Sequence, residues 1–221
     1  MRSERYADRH EAGRAVGLEL QRKLKSRGDV IVLALPRGGV PVAFHAAEAL
    51  GAPLDVFIVR KLGVPGHEEL AMGAIASGGV RVLNQDVLRY VPVPQAKIDE
   101  VAAREQLELE RREQSYRGSR PPLHVKGRMV VIVDDGLATG STMRAAVRAL
   151  RAMEPAAVIV AVPVAARQTC NELKAEVDDI VCLRTPEPFD AVGLWYRDFS
   201  QTEDDEVHEL LDRANAAAEK K

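Results

Sequence analysis

Aromatic side chains are scarce in this chain, four Phe, four Tyr and one Trp among 221 residues, so any place where they gather needs a reason. Cysteine is scarcer still. Cys170 and Cys182 form no CxxC pair, which excludes a disulfide framework and a cysteine-ligated metal cluster; each is expected to be a reduced thiol in or near the core, as fits the cytosol. No apolar run approaches the roughly 20 residues that span a bilayer. The stretch Met1–Arg9 is too rich in charge for a secretory leader. Neither sign of charge dominates, with 31 Lys and Arg against 33 Asp and Glu, so nothing global points to nucleic acid or an anionic membrane as partner. Internal repeats and low-complexity tracts are absent too. The expectation is a soluble, cytoplasmic protein: a single domain over 1–221, with a helical arm at 84–125 and a small hood at 184–200.

What is present centres on residues 129–142. Met129-Val130-Val131-Ile132-Val133 is an apolar, β-branched run too short for a helix, and it reads as a strand buried on both faces. It stops at two carboxylates, Asp134 and Asp135. Gly136 and Gly140 then free the backbone for a tight turn, and Thr139, Ser141 and Thr142 supply donors where a helix begins. That combination is a cradle for a phosphate. Adjacent acids ahead of it suit a sugar phosphate whose hydroxyls they would accept. On residues alone the window also fits an ordinary α/β turn with acids at a strand end.

Taken whole, Val133-Asp134-Asp135-Gly136-Leu137-Ala138-Thr139-Gly140-Ser141-Thr142 resembles the phosphoribosyl-pyrophosphate (PRPP) motif of the type I phosphoribosyltransferases. The resemblance implies that Asp134 and Asp135 bind the ribose hydroxyls, while Gly136, Ala138, Thr139, Gly140, Ser141 and Thr142 wrap the 5-phosphate. Leu35-Pro36-Arg37-Gly38-Gly39, after an earlier buried strand at Val30–Leu35, is similar to the family's pyrophosphate loop, with Gly38 and Gly39 giving close backbone approach and Arg37 a forked contact. Arg60-Lys61, expected at the end of a strand from Leu54 to Arg60, is similar to the arginine-lysine pair of the adenine and orotate enzymes. Residues 63–75 then occupy the place of the family's mobile hairpin, and their glycines and proline predict a lid that orders on binding. His67-Glu68-Glu69 within it lacks a second histidine and reads as a polar loop rather than a metal site.

Elsewhere, apolar spacing predicts helices over 11–25, 143–153 and 167–177, another closing at Gly51, and strands over 157–164 and 180–183. Alternation of this kind predicts an α/β fold, a parallel sheet with helices on both faces. The 94–116 helix carries only a few apolar residues, Ile98, Val101, Ala102, Leu107 and Leu109, a stripe too narrow for burial in one subunit; cover by a symmetry mate or the hood is predicted, hence a homodimer. Residues 185–200 break the rhythm and hold Phe189, Trp195, Tyr196 and Phe199, four of the nine aromatics. They resemble the family's hood, in which Phe189 or Trp195 would stack on the base. Thr202-Glu203-Asp204-Asp205 opens a terminal helix.

The reaction implied by the resemblance is displacement of pyrophosphate from C1 of PRPP by a base nitrogen. Mg²⁺ arrives with PRPP, with Asp134 or Asp135 available to it, and Arg37 and Lys61 stabilise the leaving group. Hypoxanthine-guanine enzymes carry an Asp where this chain has Ala138, and alanine accepts no proton. A 6-oxopurine acceptor is therefore disfavoured, and the base is left open. Two further readings stay open: a non-catalytic regulator that senses PRPP or a nucleotide, and a hydrolase or phosphorylase that uses water or phosphate as acceptor.

Overall fold

The computed structural model describes residues 5–24 and 28–218. Two sheets account for the strands. The larger is parallel and combines β1 (Val30–Ala34), β2 (Leu54–Val56), β6 (Met129–Val133), β7 (Ala157–Val164) and β8 (Asp179–Arg184) in the order β2-β1-β6-β7-β8. Its strands are apolar at nearly every position, as burial on both faces requires. One face packs on α1 (Arg9–Lys23) and α2 (Gly39–Leu50), and the other on α5 (Ser141–Ala152) and α6 (Arg167–Leu173). The α2 helix closes at Gly51 in the left-handed conformation, φ 60°. The expected end of the first helix at Lys25 lies outside the described residues; α1 is helical to Lys23.

The smaller sheet is antiparallel: β3 (Val59–Val64), β4 (His67–Ala76) and β5 (Val80–Leu83). It corrects two expectations. The apolar stretch after Pro53 is not one strand from Leu54 to Arg60; it leaves the large sheet at Val56 and re-enters a different one at Val59. Arg60 and Lys61 thus begin a hairpin rather than end a core strand. Residues 63–75 are strand around a turn at Gly66, φ 80°, with register shifts at Gly63, so the segment is a regular hairpin. His67, Glu68 and Glu69 are exposed at the start of β4.

A third correction concerns α4 (Gln95–Arg117), which follows the short α3 (Gln85–Tyr90). Most of its stripe is covered by its own chain: Ile98, Val101, Ala102 and Leu109, with Tyr116, are buried against β2, β3, β4 and α7 (Asp204–Ala218), and Leu107 alone of the five stays exposed. A narrow stripe suffices because Arg and Glu on its flanks pair with each other, as Arg112 does with Glu108, or with the sheet, as Glu105 does with Arg60. This removes the pattern argument for a homodimer. Finally, Cys170 on α6 and Cys182 on β8 are joined as a disulfide, with Cα atoms 6.7 Å apart, instead of standing as separate thiols. The helix and strand that carry them meet only through tertiary packing, and the thiol argument for a reducing compartment falls.

Leu109→Ala should cost about 2–4 kcal/mol in denaturant unfolding, since Leu109 is wholly buried, whereas Leu107→Ala, at a residue 70% exposed, should stay within about 0.5 kcal/mol. Equal costs would show that α4 is covered by something other than its own chain.

Candidate functional site

The parallel register pairs Ala34 with Val133, so the turns after β1 and β6 leave the sheet side by side. They touch without intervening side chains. The Leu35 N–H donates to the Val133 carbonyl at 2.9 Å. A Cβ on Gly39 would lie 2.8 Å from that same oxygen, and one on Gly38 would lie 2.2 Å from Asp135 Oδ2. The glycine pair is therefore fixed by close approach to the acids. The Pro36–Arg37 peptide is cis.

Asp134 and Asp135 stand at the carboxyl end of β6. Burial, reinforced by Asp135 beside it, pushes the Asp134 carboxyl well above the usual range. Burial also raises Asp135, and Arg9 opposes that rise. Arg9 at the start of α1 is the functional candidate that sequence reasoning missed. Its Nε donates to Asp135 Oδ2 at 2.8 Å and its Nη1 to the Ser200 carbonyl at 2.7 Å, while its guanidinium lies 3.9 Å from the Phe199 ring centroid. Nothing local marks it, because Arg9 and Asp135 meet across 126 residues of chain.

Residues 138–142 form the expected open cradle. Gly140 precedes α5 in the left-handed conformation, φ 69°, without a side-chain cap, and the Ser141 N–H has only a long contact, 3.4 Å, to Thr139 Oγ1. Thr169 of α6 pins the loop from behind through a 2.6 Å bond to the Ala138 carbonyl. Ala138, Thr139, Ser141 and Thr142 are exposed. An exposed, uncapped helix start with hydroxyls around it favours an anion.

The predicted cations are not all brought to this cradle. Successive residues of a strand face opposite ways: Lys61 shares a cavity of about 190 Å³ with Ser141, Arg144 and Arg148 of α5, whereas Arg60 turns to α4 and binds Glu105 at 2.6 Å. Arg37 faces the start of α7, 3.7 Å from Asp204 and 3.9 Å from Glu203. Tyr116 donates to that same Asp204 at 2.6 Å, and burial with this bond pushes its hydroxyl up to about 12.

The 184–200 hood sits directly on the acid loop. Tyr196 donates to the Asp135 carbonyl at 2.6 Å, and a Cβ on Gly136 would lie 2.5 Å from Val192. Burial beside the Asp135 carboxylate raises the Tyr196 hydroxyl, which keeps it a donor. The Tyr6 N–H donates to the Trp195 carbonyl, and the Arg197 and Asp198 N–H groups donate to the carbonyls of Tyr6 and Ala7. Phe189 and Trp195, expected to stack on a base, are half-buried in a small core with Tyr6, Ala12, Val164 and Tyr196. Trp195 Nε1 has no hydrogen-bond partner among the described residues.

Comparison with known proteins gives a consistent picture. Residues 3–194 match the family model described as "Phosphoribosyl transferase domain". Over 210 residues, 95% of this chain, the sequence is 48% identical to the Mycobacterium tuberculosis H37Rv protein named "Putative phosphoribosyl transferase Rv0571c"; a counterpart from strain CDC 1551 is identical to the same degree. The chain spans 47%, about half, of the length of these curated relatives. Among solved structures it is similar to TT1426 from Thermus thermophilus, with TM-score 0.85, 42% identity, and coverage of 94% of this chain and 97% of that one. AQ2163 from Aquifex aeolicus shares the fold at 14% identity and TM-score 0.50, covering 84% of this chain and 78% of that one.

Because the raised acids hold protons that the unfolded chain has lost, the folded state binds more protons between about pH 3.9, the ordinary carboxyl value, and the raised pKa. Stability due to this pair therefore falls as pH rises through that window. Asp134→Asn keeps the Oδ1 that accepts the Asp135 N–H and should raise the ligand-free melting temperature at pH 7, with the gain shrinking toward pH 4. A melting temperature below wild type at pH 7 would contradict this electrostatic picture.

Proposed function

The chain belongs to the phosphoribosyl transferase domain family, and we propose that it transfers ribose 5-phosphate from PRPP to a nitrogenous base with release of pyrophosphate. The observation that carries this reading is the abutment of two half-buried acids, two glycines and an uncapped helix start at the carboxyl ends of β1 and β6. Anion donors and hydroxyl acceptors lie in one line there, as a phosphorylated sugar needs. Asp134 and Asp135 accept from the ribose hydroxyls; the N–H groups of 139–142 hold the 5-phosphate; and the backbone at Gly38 and Gly39 meets the pyrophosphate. Lys61, on the α5 side of β3, neutralises charge as the leaving group departs. Among the described residues no cluster of three or more His, Cys, Asp or Glu is arranged to hold a metal, so Mg²⁺ fits as the companion of PRPP, bound chiefly by substrate oxygens. Bound there, it would neutralise pyrophosphate charge.

Ala138 offers no base for proton removal, so the acceptor is a base that needs none from this position.

One observation favours a binding-only reading: Arg60 is held by Glu105 at 2.6 Å and Arg37 faces Asp204 and Glu203, so neither is turned to the cradle. A regulator that holds PRPP without turning it over has no need of these cations.

Calorimetry should show PRPP binding that requires Mg²⁺. In Asp134→Asn/Asp135→Asn it should weaken by on the order of a hundredfold, because two hydrogen bonds to charged acceptors, each about 1.5–3 kcal/mol, become neutral ones of about 0.5–1.5 kcal/mol. Absence of PRPP binding by the folded wild type would defeat both readings. Pyrophosphate release with one member of a base panel decides for the enzyme; binding without release across the panel decides for the regulator.

A further inference from the structure

A second cavity lies at the opposite end of the large sheet. Its volume is about 690 Å³, and it is bounded by the beginnings of β1 and β2, the segment 117–128 and the later part of α7. The PRPP loops leave the carboxyl ends of the strands, whereas Ile31 and Leu54 line this space near the amino ends. None of its lining residues belongs to the 36–39, 134–142 or 184–200 segments.

Its lining holds three arginines, in different states, and two carboxylates, Asp55 and Asp212. Arg117 is fully engaged: its side chain is 10% exposed, it holds both oxygens of Asp55, and it donates to the Pro121 carbonyl at 2.6 Å. Arg120 and Arg128 are not. Each pairs with a carboxylate that is mostly in solvent, Asp212 at 79% and Asp29 at 67% exposure, and such pairs are weak. Each also keeps one buried donor, Arg120 Nη1 and Arg128 Nε, with no partner among the described residues. Buried donors of charged groups are costly to leave unmet. The same space is lined by the rings of Pro121 and Pro122, with Leu123 and His124 beside them. Forked cations next to flat apolar surface, in a volume typical of ligand sites, suit an anionic head on a ring.

We propose that this cavity is a second binding site, separate from the PRPP cradle, for a phosphate ester that carries a flat ring and has the size of a nucleoside monophosphate. The phosphate takes over Arg120 and Arg128 from their solvent-facing carboxylates. The ring lies on Pro121–Pro122.

Photolabelling with 8-azido-AMP on the full chain tests this. Peptides covering 118–124 should be labelled in wild type and equally in Asp134→Asn/Asp135→Asn, and inorganic phosphate in excess should suppress the label. Arg120→Gln, which leaves the Arg128 bonds to Asp29 and Val30 in place, should cut labelling by roughly tenfold, the effect of losing one charge-assisted contact; Arg120→Gln/Arg128→Gln should abolish it. Circular dichroism of each variant controls for folding. Label found only in 134–142 or 184–200, or label at 118–124 that Arg120→Gln leaves unchanged, would overturn the proposal.

Discussion

The structure depends on one close approach: the Gly38–Gly39 backbone lies against the end of β6, with no room for a single Cβ between them. Parallel pairing of β1 with β6 and the Leu35–Val133 hydrogen bond set the distance. Two loops that would otherwise be ordinary β–α turns thereby become one surface, with acids on one side and bare backbone on the other. The sheet order β2-β1-β6-β7-β8 follows the same logic, since the loop-bearing strands β1 and β6 must be neighbours and β7 with α6 must back the loop after β6. Site and core are therefore built by the same contacts.

That arrangement is locally unfavourable. Two carboxyls share a strand end where burial raises both, and the Asp135 charge raises Asp134 further. The chain offsets part of this with Arg9, which brings a cation to Asp135 and is itself steadied by Phe199 and Ser200. Conflict of this kind, held in place by surrounding structure, is the signature of a site rather than of a core. It also explains why the hood aromatics gather where they do: Tyr196 and Phe199 serve the acid loop, one through Asp135 itself and one through Arg9.

Much of this was legible in the sequence, for reasons that also explain the failures. Val130–Val133 and Val158–Val164 are so continuously apolar that only buried strands fit them, and Gly51, Gly140 and Gly66 sit where positive φ demands them. The acid pair, the glycine turn and its hydroxyls are contiguous, so local reading suffices to place them together. The run Leu54–Val64 misleads because apolar character continues through Phe57 and Ile58, both buried, while the chain changes sheets. Periodicity reports burial and not which sheet does the burying. Without the sheet change, the opposite facing of Arg60 and Lys61 about β3 is invisible. The cover over α4, the Cys170–Cys182 bond and the Arg9–Asp135 contact are all decided by distant chain, where spacing carries no signal.

The way the hood is fastened has a consequence for how such a scaffold diversifies. Its attachments at Trp195, Arg197 and Asp198 run through main-chain atoms to Tyr6 and Ala7, and Tyr196 reaches a main-chain carbonyl at Asp135. A fastening of this type is indifferent to most side chains between its anchor points. Exposed positions between them, such as Asp190 and Leu194, can then be rewritten by mutation without loosening the hood, whereas Val192, packed against Gly136, cannot.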